Sequence, residues 1–111
     1  MSKLSLGQCH IKDAVVENLL AEALGSGNAE PTEDVDQNRD CSIYLICAPT
    51  PININNDPDL EPIEQLIKNI APLVQKVDLI AVESTVFPST CEQVVLPLVE
   101  RASGLNHMTD F

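Results

Sequence analysis

Four cysteines, Cys9, Cys41, Cys47 and Cys91, and two histidines, His10 and His107, are the side chains best suited to hold a metal or to attack a carbonyl. A zinc site draws its ligands from close pairs such as Cys-x2-Cys matched by a second pair. Here Cys41 and Cys47 stand six positions apart, and neither histidine completes a ligand pattern. No metal site is expected, and the same scatter argues against a Cys-His nucleophile pair. An even number of cysteines without tight pairing predicts free, buried thiols rather than a disulfide framework. The hydroxyls are better placed. Thr50 lies between Pro49 and Pro51, and Ser84 and Thr85 follow Glu83. A hydroxyl both donates and accepts, so it can hold a water or steady a developing oxyanion. The same residues also suit plainer tasks: Thr50 a rigid turn, and Ser84 with Thr85 a strand end that bridges to a cap at Ser89. Glu83 reads either as a base or as a solvated carboxylate.

These groups need elements to position them. From Asp13 to Leu24, Val15, Val16, Leu19, Leu20, Ala23 and Leu24 recur at helical spacing, with Asp13 as N-cap and Gly25-Ser-Gly27 as the stop. Asn28 to Asp40 carries five acidic residues against Arg39 alone, which predicts a solvated loop with at most a short strand. Ser42 to Ala48 is a continuous apolar run that stops at Pro49-Thr-Pro51, which predicts a central parallel strand covered on both faces. Asp59 then caps a helix whose Ile63, Leu66, Ile67, Ile70 and Val74 share one stripe. Pro62 is harmless in its first turn, and Pro72 should kink or end it. Leu79 to Val82 supplies a second buried strand. Ser89 and Glu92 read as the capping box of a third helix, running to about Ala102 with a kink at Pro97. Tyr44, inside an apolar strand, is expected in the core with its hydroxyl reaching an edge.

Helices alternating with strands require a parallel α/β sheet, whose ligand crevice opens at the carboxyl ends of the strands. Ala48-Pro-Thr-Pro51 and Glu83-Ser-Thr85 sit at those two ends. One hundred and eleven residues can bury a single small core, and a hydrophobic fraction of 44% excludes a disordered chain. A net charge of -11 would repel phosphate backbones and anionic headgroups, so neither nucleic acid nor a membrane surface is an expected partner. No apolar run approaches the ~20 residues of a membrane span. Met1 to Gly7 lack a signal peptide's hydrophobic centre, so a cytoplasmic location is expected.

Four segments are specific enough to name a family: Ile46-Cys-Ala-Pro-Thr-Pro51, Asp57-Pro-Asp-Leu60, Glu83-Ser-Thr-Val86 with Pro88 and Thr90, and Ser103-Gly-Leu105. In that order, over Leu6 to Phe111, the chain resembles the nucleotide-binding domain of the UDP-glucose/GDP-mannose dehydrogenase family, nearest its UDP-N-acetylmannosamine dehydrogenase branch. The resemblance implies a partial Rossmann-like parallel sheet lacking its first βαβ strands, with residues 1–111 forming part of a dinucleotide-binding domain. It implies NAD as cofactor and a UDP-sugar as substrate, oxidised at C6 from alcohol to carboxylate through a cysteine thioester. Residue by residue, Ala48, Pro49, Thr50, Pro51 and Ile52 match the loop that passes the adenosine side of NAD. Ser84 matches a residue touching the nicotinamide half, and Thr85 matches the threonine that helps hold the catalytic water or the developing oxyanion.

The departures from the family pattern are equally specific. Its Gly-x-Gly-x-x-Gly turn, which lets backbone approach a pyrophosphate, is absent; Gly25 and Gly27 follow a helix, and Glu30 stands where a third glycine would be needed. The resemblance places the ribose-binding carboxylate before Met1, and the nucleophilic cysteine with its lysine and asparagine partners beyond Phe111. Val77 stands where a helix-ending glycine is usual, and Ser89 where Pro-Gly-Thr is usual; each costs about 1 kcal/mol if its backbone takes a positive φ. The expectation is a middle piece of a cofactor domain, inactive alone, either a truncated gene product or one part of a split enzyme completed by companion chains. The competing expectation is a non-catalytic α/β module that pairs its sheet edge with a partner chain.

Overall fold

The computed structural model describes Leu4, Cys9, residues 11–55 and residues 57–111. The readings made on His10, on Asn56 and on the segment around Leu4 fall otherwise outside the described residues. The chain divides into two compact units, Met1–Asp34 and Val35–Phe111.

The first unit contains helix α1, Ala14–Gly25. Asp13, extended at φ -138°, caps it as the sequence predicts: its carboxylate accepts the amides of Val15 at 2.8 Å and Val16 at 3.2 Å. Gly27 takes φ 74° just past the end, a conformation an L side chain resists. The apolar stripe of α1 buries no residue, and Val15 and Leu19 are more than half exposed.

The second unit opens with a single 3-10 turn, Val35–Asn38, where the sequence allowed a short strand. Strand β1, Ile43–Ile46, then pairs in parallel with β2, Leu79–Val82, in the register Ile43 to Leu79 through Ile46 to Val82. Helix α2, Glu61–Ile70, makes the crossover between them. Its N-cap is Leu60 rather than Asp59, but the Asp59 carboxylate still accepts the Glu61 amide at 3.0 Å. Pro72 ends α2 as expected, and the chain tightens into a 3-10 turn over Ala71–Leu73.

The core lies between one face of the sheet and the helices. Tyr44 and Ile46 of β1 meet Ile63, Ile67 and Ile70 of α2, with Ala71, Val74, Val95 and Val99 closing the cluster. Fully burying a side chain such as Ile63 or Ile67 contributes roughly 1.5–3 kcal/mol. Tyr44 is buried as predicted, with its hydroxyl donating weakly to the carbonyls of Asn38 at 3.4 Å and Leu73 at 3.5 Å.

Both strands differ from expectation on their other face. Ile43 and Leu45 are 60% and 64% exposed and Leu79 is 56% exposed, so among the described residues the sheet is covered on one side only. A continuous apolar run states that both faces avoid water; it does not state that this chain supplies both covers.

The third helix also begins differently. Ser89 has φ 68°, which is incompatible with the extended backbone of an N-cap, so no capping box forms. Residues Cys91–Val95 instead wind in π register, with the Leu96 amide donating to the Cys91 carbonyl, before helix α3 spans Leu96–Ser103. Pro97 accounts for the wider turn, because it has no N–H to give to the residue four before it. Gly104 at φ 74° closes α3. Val77, at φ 65°, precedes β2. The two positions where the family pattern has glycine are thus both left-handed.

Candidate functional site

The chain leaves β1 at Ile46 and β2 at Val82 side by side, because a parallel pair puts both carboxyl ends at one edge. There the Ser84 hydroxyl donates to the Ala48 carbonyl at 2.8 Å and lies 3.3 Å from that of Ile46, while the Glu83 amide donates to Ile46 at 2.9 Å. The two strand ends are tied across the site by one serine. With its proton engaged on backbone, the Ser84 oxygen keeps lone pairs that can accept from a ligand.

Beyond this tie the β1 loop folds back on itself. Ile52 bridges Pro58 in antiparallel fashion, the Asp59 amide donates to Pro51 at 2.9 Å, and the Asn53 side chain accepts the amides of Asn55 and Asp57, both at 2.9 Å. This closed loop holds Thr50 and Ile52 against the segment after β2. The result is a cleft of ≈ 420 Å³, walled on one side by Thr50, Ile52, Pro58 and Leu60 and on the other by Thr85, Val86, Phe87 and Pro88. Thr50 and Thr85 are the polar residues of its lining, and the other lining residues are apolar. Flat, uncharged ring systems suit such a surface, held by apolar contact and oriented by a few hydroxyls.

Of the residues singled out in the sequence, Thr50, Ile52 and Thr85 meet in this cleft. Ala48 and Ser84 are bonded to each other at its base. Pro49 and Pro51 are exposed beside it and fall outside its lining. Leu60, Phe87 and Pro88 belong to the wall but were assigned no role from sequence, although Leu60 and Pro88 lay within the family-like segments. Thr85 is exposed and lines the cleft.

No cluster of ligating side chains occurs among the described residues. The cysteines are free as predicted, but Cys41, Cys47 and Cys91 are exposed rather than buried. The expectation failed for Cys41 and Cys47 because they flank β1 at odd positions, in step with Ile43 and Leu45 on the uncovered face. Two ionisable groups are displaced. Burial, with the Asp78 and Cys41 charges behind it, pushes the Tyr44 phenol up; a backbone hydrogen bond from Asn106, aided by Lys76, holds Asp110 below the usual carboxylate range.

Comparison with known proteins adds to this geometry. Residues 1–111 match the NAD binding domain described for the UDP-glucose/GDP-mannose dehydrogenase family. The chain is 31% identical over 111 residues to the UDP-N-acetyl-D-mannosamine dehydrogenase of Pyrococcus horikoshii, covering 100% of this chain and 26% of that protein. A solved UDP-D-ManNAc dehydrogenase from the same organism superposes with a TM-score of 0.91 at 31% identity, over 98% of this chain and 26% of the other. A ternary complex of GDP-mannose dehydrogenase from Pseudomonas aeruginosa gives a TM-score of 0.90 at 31% identity, over 97% and 26%. The chain thus spans about a quarter of the length of these relatives.

Proposed function

Since the chain belongs to the UDP-glucose/GDP-mannose dehydrogenase family and matches its NAD binding domain, we propose that it contributes the strand-end wall of the NAD site in a nucleotide-sugar 6-dehydrogenase. The substrate class is a UDP-sugar such as UDP-N-acetylmannosamine, oxidised at C6 to the carboxylate. The observation that carries this reading is the cleft at the carboxyl ends of β1 and β2, where a doubly wound sheet receives its ligand. NAD, when bound, supplies the hydride acceptor. Ala48 to Ile52 would line its path, Ser84 would accept a hydrogen bond from its nicotinamide half, and the Thr85 hydroxyl would hold a water or a developing oxyanion at the reacting carbon.

The fit is to part of the cofactor only. The described glycines at positive φ, Gly27 and Gly104, both follow helices, and neither makes a pyrophosphate turn before one. Residues 1–111 are therefore read as a portion of a dinucleotide-binding domain, working in the cytoplasm with further polypeptide that carries the glycine turn and the cysteine nucleophile. By itself the chain is expected to bind NAD more weakly than roughly 100 μM, about -5.5 kcal/mol, in isothermal titration, and to oxidise no UDP-sugar.

The decisive experiment joins the chain to the missing strands and cysteine domain of a close relative. Thr85→Ala should then lower turnover ~10- to 1000-fold, about 1.4 to 4 kcal/mol of transition-state stabilisation, with little change in nucleotide affinity. Unchanged turnover would remove Thr85 from the mechanism. A second reading, a non-catalytic module that pairs its sheet with a partner chain, is favoured by the bare apolar face at Ile43, Leu45 and Leu79.

A further inference from the structure

One wall of the cleft is made by Thr50, Ile52, Pro58 and Leu60, and all four lie on the two stems of a single loop, 50–52 going out and 58–60 coming back. Little apolar burial holds that loop: Ile52 is 65% exposed, and Ile54 at its tip is 99% exposed. Its shape therefore rests on polar closure. Pro58 has no N–H to give, and its bridge to Ile52 is flanked by two backbone bonds, Asn53 donating to Asp57 and Asp59 to Pro51, both at 2.9 Å. The Asn53 carboxamide reinforces them. Its oxygen accepts the amides of Asn55 and Asp57, both at 2.9 Å, and its nitrogen lies 3.5 Å from the Asp57 carboxylate. A short amide side chain that takes the amides of the next residues stands in for backbone in a turn. Asn53 itself falls outside the cleft lining, and outside the family-like segments that end at Pro51 and resume at Asp57.

We propose that Asn53 is a positioning residue for the cofactor: its carboxamide keeps the loop closed, and the closed loop presents Thr50 and Ile52 to NAD. The proposal rests on the reading of the cleft as part of the NAD site, and it adds the group that sets one of the walls. A loop released from this closure divides its time among shapes, and apparent affinity falls by the fraction that still fits the ligand. The opposite wall, carrying Thr85, belongs to the segment after β2, which Ser84 ties to β1 independently of the loop. The loss should therefore fall on cofactor binding and spare the chemical step.

The test uses the full 111-residue chain joined to the missing strands and cysteine domain of a close relative, with NAD and a UDP-sugar as substrates. Asn53→Ala should raise the KM for NAD about tenfold and leave kcat and the KM for the UDP-sugar within about twofold. Hydrogen exchange at Asn55 and Asp57 should quicken in the same variant. Asn53→Asp keeps the accepting oxygen but sets a second carboxylate against Asp57, so it too should raise the KM for NAD. Adding Asp57→Asn restores a donor and an acceptor with their roles exchanged, and should bring the KM back to within about twofold of the parent. That series stands without the alanine variant. An unchanged KM for NAD in Asn53→Ala would overturn the proposal while leaving the NAD-site reading in place. So would an exchanged pair that restores nothing, or an alanine variant that loses kcat and melting temperature with no rise in KM, the mark of a merely structural residue. A joined protein with no NAD-dependent turnover before any substitution would remove both.

Discussion

At Ser84 and Thr85 two adjacent hydroxyls do different work. Ser84 donates at 2.8 Å to a backbone carbonyl across the strand ends, whereas Thr85 is exposed on the cleft wall. Ser84→Ala should therefore cost about 1 kcal/mol in chemical denaturation, the usual net value of one hydrogen bond, and Thr85→Ala should leave the midpoint nearly unchanged. Equal losses would mean that Thr85 is a structural strand-end residue. The family resemblance assigned the two hydroxyls different roles toward a ligand, but nothing in the sequence marked Ser84 as a tie between the strand ends. That Ser84 reaches Ala48, 36 positions away, depends on the parallel pairing of two strands and on nothing local.

The elements themselves were largely legible where a short-range cause decides them. Asp13 caps α1, Pro72 ends α2, and the parallel pair with its helical crossover follows from alternating apolar patterns. Where two causes compete, the local motif lost. Ser89 and Glu92 spell a capping box, yet Ser89 is in the left-handed region, and Pro97 shifts the turn before it into π register. Val77 and Ser89 show the opposite case, since the family pattern pointed to glycine at both and both take positive φ. A β-branched side chain is poorly tolerated there, and Val77 is 92% exposed, so it loses little packing on removal. Val77→Gly should raise stability by about 1 kcal/mol in urea denaturation, and Ser89→Gly by about the same or less, because serine carries no β-branch. A loss in either variant would mean that the side chain does more for the fold than its backbone strain removes.

For the molecule as a whole, the dependence of stability on pH has a direction at each end. The Tyr44 phenol is raised above its ordinary 10.0 by burial, so its contribution is complete below that value and is lost as pH rises through the folded-state value. Asp110 is held below its ordinary 3.8, so its contribution is present above that value and fades as pH falls through the depressed one. Thermal melts should lose stability as pH rises through the folded-state value of Tyr44 and as it falls through that of Asp110. Tyr44→Phe should remove the alkaline fall, and Asp110→Asn should blunt the acidic one. The bare strip formed by Ile43, Leu45 and Leu79 has a colloidal consequence as well. Copies of this chain carry mutually attractive apolar surface and are kept apart in solution by their shared negative charge of -11. As pH approaches the isoelectric point near 4.2 that repulsion vanishes while the strip remains, so the solubility of the chain should pass through its minimum there.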